Sequence, residues 1–209
     1  MPPGAQFFEP HRCFEMSVDY YEHNADHFFN DTVTADVSRL RDRFVRELPA
    51  SARVLDAGCG SGRDAKAFVD LGFDVTAFDA SAEMVRRAAQ YAQCPVLHMT
   101  FDEMTWNEAF DGIWASASLL HVPRASLVAT VARCHQALIR EGVFYASFKY
   151  GDAERAQDGR RFTDLTETTF LEVVGQVGGF KVIELWCTAD VRPGRQDEMW
   201  LNALARRAD

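Results

Sequence analysis

The chain has 209 residues, 47% of them hydrophobic, which suits one compact domain whose core needs no disulfides. Lys and Arg number 22 against 31 Asp and Glu, a formal net charge of −9, so the basic surface that displaces counterions from DNA or RNA is missing and nucleic acid is not an expected partner. Five scattered cysteines without C-x-x-C spacing argue against a disulfide framework and against a metal site, and no apolar run reaches the ~18 residues of a membrane helix. The opening "MPPGAQFFEPHRCF" lacks the pattern of a signal peptide, so a reducing, cytoplasmic setting is expected.

Residues 1–16 are Pro-rich and without period, and read as an irregular arm. "DYYEHNADHFF" (19–29) reads as an aromatic helix, so residues 1–33 form an arm with a possible lid helix ahead of a domain over 34–209. Val37, Leu40, Phe44 and Leu48 recur at helical spacing and predict an amphipathic helix ending near Pro49. The chain then alternates. "RVLDA" (53–57), "DVTAFD" (74–79), "PVLHM" (95–99), "FDGIWAS" (110–116) and "GVFYASFK" (142–149) read as strands. Helices are expected over 62–71, over 81–92 with Ser81 as N-cap, and after Pro123 with Leu127, Val131, Cys134 and Leu138 inward. Another follows around Phe170, Val173, Val174 and Val177. "FKVIELWC" (180–187) and "EMWLNALAR" (198–206) have no helix between them and predict an antiparallel hairpin, with Trp186 facing Trp200. The sum is an α/β fold: a doubly wound, mostly parallel, seven-stranded sheet with that C-terminal hairpin and N-terminal helices.

Ligands of such sheets bind beyond the C-terminal strand ends. "VLDAGCGSGRDAKAF" (54–68) falls there, with Asp56 in the strand and Gly58, Gly60 and Gly62 in the bend. Missing Cβ atoms let a ligand lie on the backbone, and the amides opening the next helix favour an anionic group. Asp79 ends the second strand, where a carboxylate can grip the paired hydroxyls of a ribose. "TFDEM" after the third strand sets Phe101 and Asp102 on the same edge, an aromatic and an acceptor that suit adenine. The implied ligand carries adenosine and a small anionic end. A dinucleotide fits that description, although its G-x-G-x-x-G spacing is not the G-x-G-x-G found here.

"VLDAGCGSGRD", "VTAFDAS" and "TFDEM" resemble the successive cofactor motifs of class I S-adenosylmethionine-dependent methyltransferases (Rossmann-like), nearest to small-molecule and tellurite-resistance-type members. The resemblance covers roughly residues 34–206. It implies S-adenosylmethionine as cofactor and S-adenosylhomocysteine as product. Asp56, Gly58, Cys59, Gly60 and Gly62 would flank its methionine end, Asp79 with Ala80 its ribose, Phe101 with Asp102 its adenine, and Ser116 the sulfonium. The implied activity is methyl transfer to a small molecule. An NAD(P)-dependent oxidoreductase and a non-catalytic binding module are the alternatives.

The fourth strand runs into "ASASLLHVP", without the Asn/Asp-Pro-Pro-aromatic signature of base-methylating relatives, which agrees with the acidic balance. His121 lies just past that strand, either as a base or as a loop histidine bonded to backbone. Tyr20 and Tyr21 stand where a hydroxyl could reach a site, while Phe28 and Phe29 read as packing. His121 and Tyr21 are the candidate catalytic residues. Tyr150, Arg160 and Arg161 follow the fifth strand, and Arg192 and Arg195 follow the sixth. Both loops should overhang the acceptor. Their cations suit an anionic acceptor, and the aspartates among them suit a merely solvated loop.

Overall fold

A computed structural model describes residues 10–208, with side chains from Met16 onward. The helix α1 (Pro10–Thr32) comes first, then α2 (Ser38–Val45) and β1 (Arg53–Ala57). Next are α3 (Arg63–Asp70), β2 (Asp74–Asp79), α4 (Ala82–Ala92), β3 (Val96–His98), β4 (Phe110–Ala115), α5 (Arg124–Ala137) and β5 (Leu138–Lys149). A small hairpin, β6 (Glu154–Gln157) and β7 (Arg160–Thr163), precedes α6 (Glu167–Val177), β8 (Phe180–Ala189) and β9 (Met199–Arg207). The seven-stranded sheet has the order β3-β2-β1-β4-β5-β9-β8. Its first four pairings are parallel, and β9 runs antiparallel to both β5 and β8.

Local chemistry explains the boundaries. The Ser81 hydroxyl accepts from the Met84 amide and starts α4. The Thr166 hydroxyl accepts from the Thr169 amide and starts α6. Pro123, at φ −54°, presets the entry to α5. Strand residues then alternate between two apolar layers. Leu55, Ile113 and Phe144 meet Leu127, Val131 and Phe170 of α5 and α6. Val54, Trp114 and Tyr145 meet Phe44 and Phe68 of α2 and α3. Trp114 and Tyr145 lie stacked, with ring centroids 3.8 Å apart.

Four expectations need correction. The stretch expected to be an irregular arm is helical from Pro10; the earlier residues lie outside those described. A proline costs nothing in the first turn, where its missing N–H has no helical partner. The loop after β5 contains β6 and β7, joined by Asp158 and Gly159 at φ 50° and 74°, the left-handed pair of a tight hairpin turn. Leu138 opens β5 instead of closing α5. Trp186 pairs with Asn202, and Trp200 with Thr188, so the two indoles are two register steps apart and do not face each other. Among the described residues no helix is long and apolar enough to cross a membrane.

Candidate functional site

The order of strands reverses between β1 and β4, and a cavity of about 900 Å³ opens over their C-terminal ends. At one end of it the β1–α3 bend is pinned to the neighbouring strand. The amides of Gly58 and Cys59 both donate to the Phe78 carbonyl, each at 2.9 Å. The Gly60 amide donates to one Asp79 oxygen at 2.9 Å, and the Ser81 amide to the other at 3.0 Å. Asp79 is thereby fixed at the end of β2 while keeping lone pairs for a ligand. Burial raises its carboxyl above the ordinary range, and the Ser81, Gly60 and Ala80 amides oppose that shift.

Asp56 is 2% exposed, and its Oδ2 has no hydrogen-bond partner. Burial, reinforced by the nearby Asp64 carboxylate, pushes Asp56 well up. Asp64 goes the other way. Burial works against its charge, but the guanidinium groups of Arg63 and Arg41 outweigh it and hold Asp64 low. Arg41 reaches it at 2.7 Å, Arg63 at 2.7 Å, and the Trp114 indole donates to it at 3.0 Å. The pair is therefore one saturated carboxylate held low beside a second carboxyl pushed up and left with an unused oxygen.

The glycines answer to protein as well as to the cavity. A Cβ on Gly58, at φ +77°, would lie 2.4 Å from Ser118 Cβ, so the bend is closed against the loop after β4. Gly62, at φ +76°, would meet the Ala88 backbone at 3.0 Å. It does not line the cavity; it lets α3 and α4 approach, which corrects its expected place at the ligand. Of the other positions expected at a cofactor, Asp56, Gly58, Cys59 and Gly60 line the cavity. So do Asp79, Ala80, Phe101 and Ser116. Asp102 does not. The single turn Phe101–Glu103, capped by Thr100, rotates it outward, 74% exposed and 3.7 Å from Arg133.

The second half of the cavity is walled by α1, the β6–β7 hairpin and the loop after β4. His121 sits there buried, with Nδ1 2.6 Å from the Arg161 carbonyl and Nε2 2.8 Å from the Tyr21 hydroxyl. Burial depresses its pKa to about 4; Arg160 adds to the effect and the bond to Arg161 opposes it. Burial pushes the Tyr21 hydroxyl up to about 12 against the pull of Arg160. Tyr150, Arg192 and Arg195 also line the cavity. Tyr20 and Arg161 do not. Tyr20 lies under the Arg160 guanidinium on the outer side, 4.3 Å from its ring centroid, and Arg161 turns away to Glu154 at 2.7 Å. Strand alternation exchanges the two arginines: Arg160 faces the cavity.

Several cations around this half of the cavity are neutralised in place. Asp190 takes two bonds from Arg192, at 3.0 and 2.6 Å, and one from the Trp200 indole at 3.1 Å. Burial opposes its charge, yet those donors hold Asp190 far below the ordinary carboxylate range. Lys149 is bonded to Glu198 and lies 3.5 Å from Asp190. Arg155 is forked onto Asp164 at 2.8 and 3.2 Å. Arg160 is more loosely held, its nearest carboxylate being the exposed Asp158 at 4.0 Å. Phe28, expected to be packing, edges the cavity beside Gly60 and packs on Tyr21 at 4.8 Å between centroids. Arg63 and Ser118 also line the cavity without having been picked out as site residues, although Arg63 stands inside the glycine motif itself.

Residues 54–142 match the family described as "Methyltransferase domain". The ubiquinone biosynthesis O-methyltransferase of Methylocella silvestris is 37% identical over 108 residues, which are 49% of this chain and 41% of that protein. The malonyl-[acyl-carrier protein] O-methyltransferase of Enterobacter lignolyticus is 36% identical over 85 residues, 39% of this chain and 34% of that one. The chain thus spans well under half the length of these curated relatives. The 1,6-didemethyltoxoflavin-N1-methyltransferase of Burkholderia thailandensis, solved with 1,6-didemethyltoxoflavin and S-adenosylhomocysteine, superposes with a TM-score of 0.78 at 24% identity, over 100% of this chain and 94% of that one. Residues 54–142 thus resemble a methyltransferase domain, and the fold around them is the one seen in the superposed methyltransferase.

Proposed function

We propose that the chain transfers the methyl group of S-adenosylmethionine to a small molecule. The observation that carries this reading is the continuity of one cavity, from the Gly58–Ser61 bend and Asp79 at one end to Tyr21 and His121 at the other. The first half suits the cofactor. Asp79, fixed by two amides, would accept from both ribose hydroxyls, and the Phe101 ring would border adenine. The orphaned Oδ2 of Asp56 would meet the methionine end, where Arg63 also faces. The bound cofactor supplies a methyl group made electrophilic by its sulfonium. This chain's residues then align an acceptor with it and exclude water, which can remove much of the barrier. Cys59, in the bend, is kept as a neutral thiol by burial and by Asp56 and Asp79, so it does not compete as a nucleophile.

The second half suits an acceptor with a single acidic group. Lys149, Arg155 and Arg192 are already matched by carboxylates, whereas Arg160, beside Tyr21 and His121, is only loosely held. The curated relatives are named as O-methyltransferases and the superposed enzyme as an N1-methyltransferase, so oxygen and nitrogen are both within reach of this fold.

S-adenosylhomocysteine at about a hundred times its dissociation constant should add ~2.7 kcal/mol, a melting-temperature rise of roughly 5–10 °C. NADH should give none. Asp79→Ala should abolish the rise. A rise with NADH alone would favour the oxidoreductase, and a rise with S-adenosylhomocysteine without labelled methyl reaching any component of a metabolite extract would favour a binding module.

A further inference from the structure

We infer that Tyr21 and His121 form a proton relay at the acceptor end of the cavity, and that the acceptor is protic: a hydroxyl or ring N–H whose proton leaves as the methyl group arrives. This rests on the methyl-transfer reading above.

The hydrogen bonds fix the direction of the relay. The Arg161 carbonyl can only accept, so His121 Nδ1 carries a hydrogen and donates to it at 2.6 Å. The ring is neutral at pH 7, because burial holds its pKa at about 4. Nε2 is therefore bare and accepts from the Tyr21 hydroxyl at 2.8 Å. Tyr21 has given its proton inward and its oxygen faces the Arg160 guanidinium, which leaves one lone pair for a hydrogen arriving from the cavity that both side chains line. Tyr21 resists ionisation, so it serves as a neutral conduit and the imidazole is the final base.

The pair is also held in register. Tyr21 packs edge-on against Phe28, and His121 against Phe162, at 4.8 and 5.3 Å between centroids. The charged groups acting on the pair are Arg160 from β7, which faces both residues, and Asp79 from β2 and Arg192 from the β8–β9 loop, which act on Tyr21. Arg160 is stacked between Tyr20 and Phe162, at 4.3 and 5.3 Å, beside the relay entrance. It would stabilise negative charge growing on the acceptor atom, which selects an acidic O–H or N–H over a neutral amine.

The step balances. As the bond from acceptor to methyl carbon forms, the carbon–sulfur bond breaks and its electron pair stays on sulfur. The acceptor proton passes to Tyr21 while the Tyr21 proton passes to Nε2. The sulfonium charge disappears and an imidazolium appears, so the cavity's net charge is unchanged. Water removes that proton after product leaves.

The test uses the full chain and labelled cofactor against two probe sets. One is protic: a catechol, an enolised β-diketone and a ring imide. The other is aprotic: a pyridine, a tertiary amine and a thioether. Transfer is expected to the protic set alone. Tyr21→Phe and His121→Gln should each lower kcat at least 100-fold, with KM within about threefold and the S-adenosylhomocysteine-induced melting shift intact. Arg160→Gln should move the acid limb of the kcat profile upward from about pH 4, as expected when a cation beside the imidazole is removed. Independently of turnover, imidazole nitrogen NMR should find Nε2 unprotonated in the wild type and its shift changed in Tyr21→Phe. Transfer to the aprotic set, transfer to neither set, unchanged kcat in both variants, or a protonated Nε2 would each overturn the relay. Loss of the melting shift in the wild type would instead overturn the methyl-transfer reading beneath it.

Discussion

His121 links stability to acidity in a way that can be separated from its chemistry. An unfolded histidine titrates near pH 6.5, whereas this one titrates at about 4 because burial penalises its cation. Between those values the unfolded chain binds a proton that the folded chain refuses, so stability rises with pH across the window and falls on acidification. The full effect is about 3 kcal/mol. Chemical denaturation of the wild type at pH 7 and pH 4.5 should show that slope, and the His121→Gln variant should show it reduced by about that amount. Gly62 offers a purely steric test. Alanine there needs a left-handed φ and meets the Ala88 backbone at 3.0 Å, so Gly62→Ala should cost roughly 3 kcal/mol by thermal melting. At this scale the sequence is legible where position alone determines role. Asp79 ends a strand and therefore faces the cavity. Asp102 could not be read the same way, because one capped turn decides where it points. Arg160 and Arg161 were indistinguishable until a strand set their alternation.

Helix α1 is held at two places. Its backbone leaves helical geometry at Asn24, φ −116° and ψ 17°. Ahead of that break, the Ser17 hydroxyl accepts from the Arg161 amide of the hairpin at 3.0 Å, and Tyr21 meets His121. From Glu22 onward the contacts turn to α4. Glu22 accepts from the amides of Ala82 and Glu83 at the first turn of α4, Asp26 pairs with Arg87, and Phe29 packs on Tyr91. Glu22→Ala removes a cap-like contact of about 1 kcal/mol. Hydrogen exchange over residues 17–30 should then accelerate, and bound S-adenosylhomocysteine should restore part of the protection. The aromatic helix was legible from its composition. The hairpin it meets was not read, because Glu154–Gln157 has no apolar alternation; the Asp158-Gly159 pair was its available signal.

Across the whole molecule, the alternation of apolar runs and helical spacing was enough to read the sheet, since the inner strands place residues in each of two layers. Lateral order was harder, because nothing in the spacing of the last two strands says that β9 inserts between β5 and β8. Stability should be graded along this order. The inner strands β1, β4 and β5 carry the fully buried residues Leu55, Trp114 and Tyr145, whereas β3 is three residues long and largely exposed at the edge. Native-state hydrogen exchange should find the inner amides slowest and those of β3 exchanging well before global unfolding.

The two wall segments of the acceptor half, α1 and the β6–β7 hairpin, touch one another but belong to no layer of the sheet. With the acceptor bound against these walls as proposed, selectivity would be portable. Exchanging both segments together between chains of this fold would transplant a preference for one nucleophile over another, while the nucleoside-gripping scaffold beneath stayed as it was.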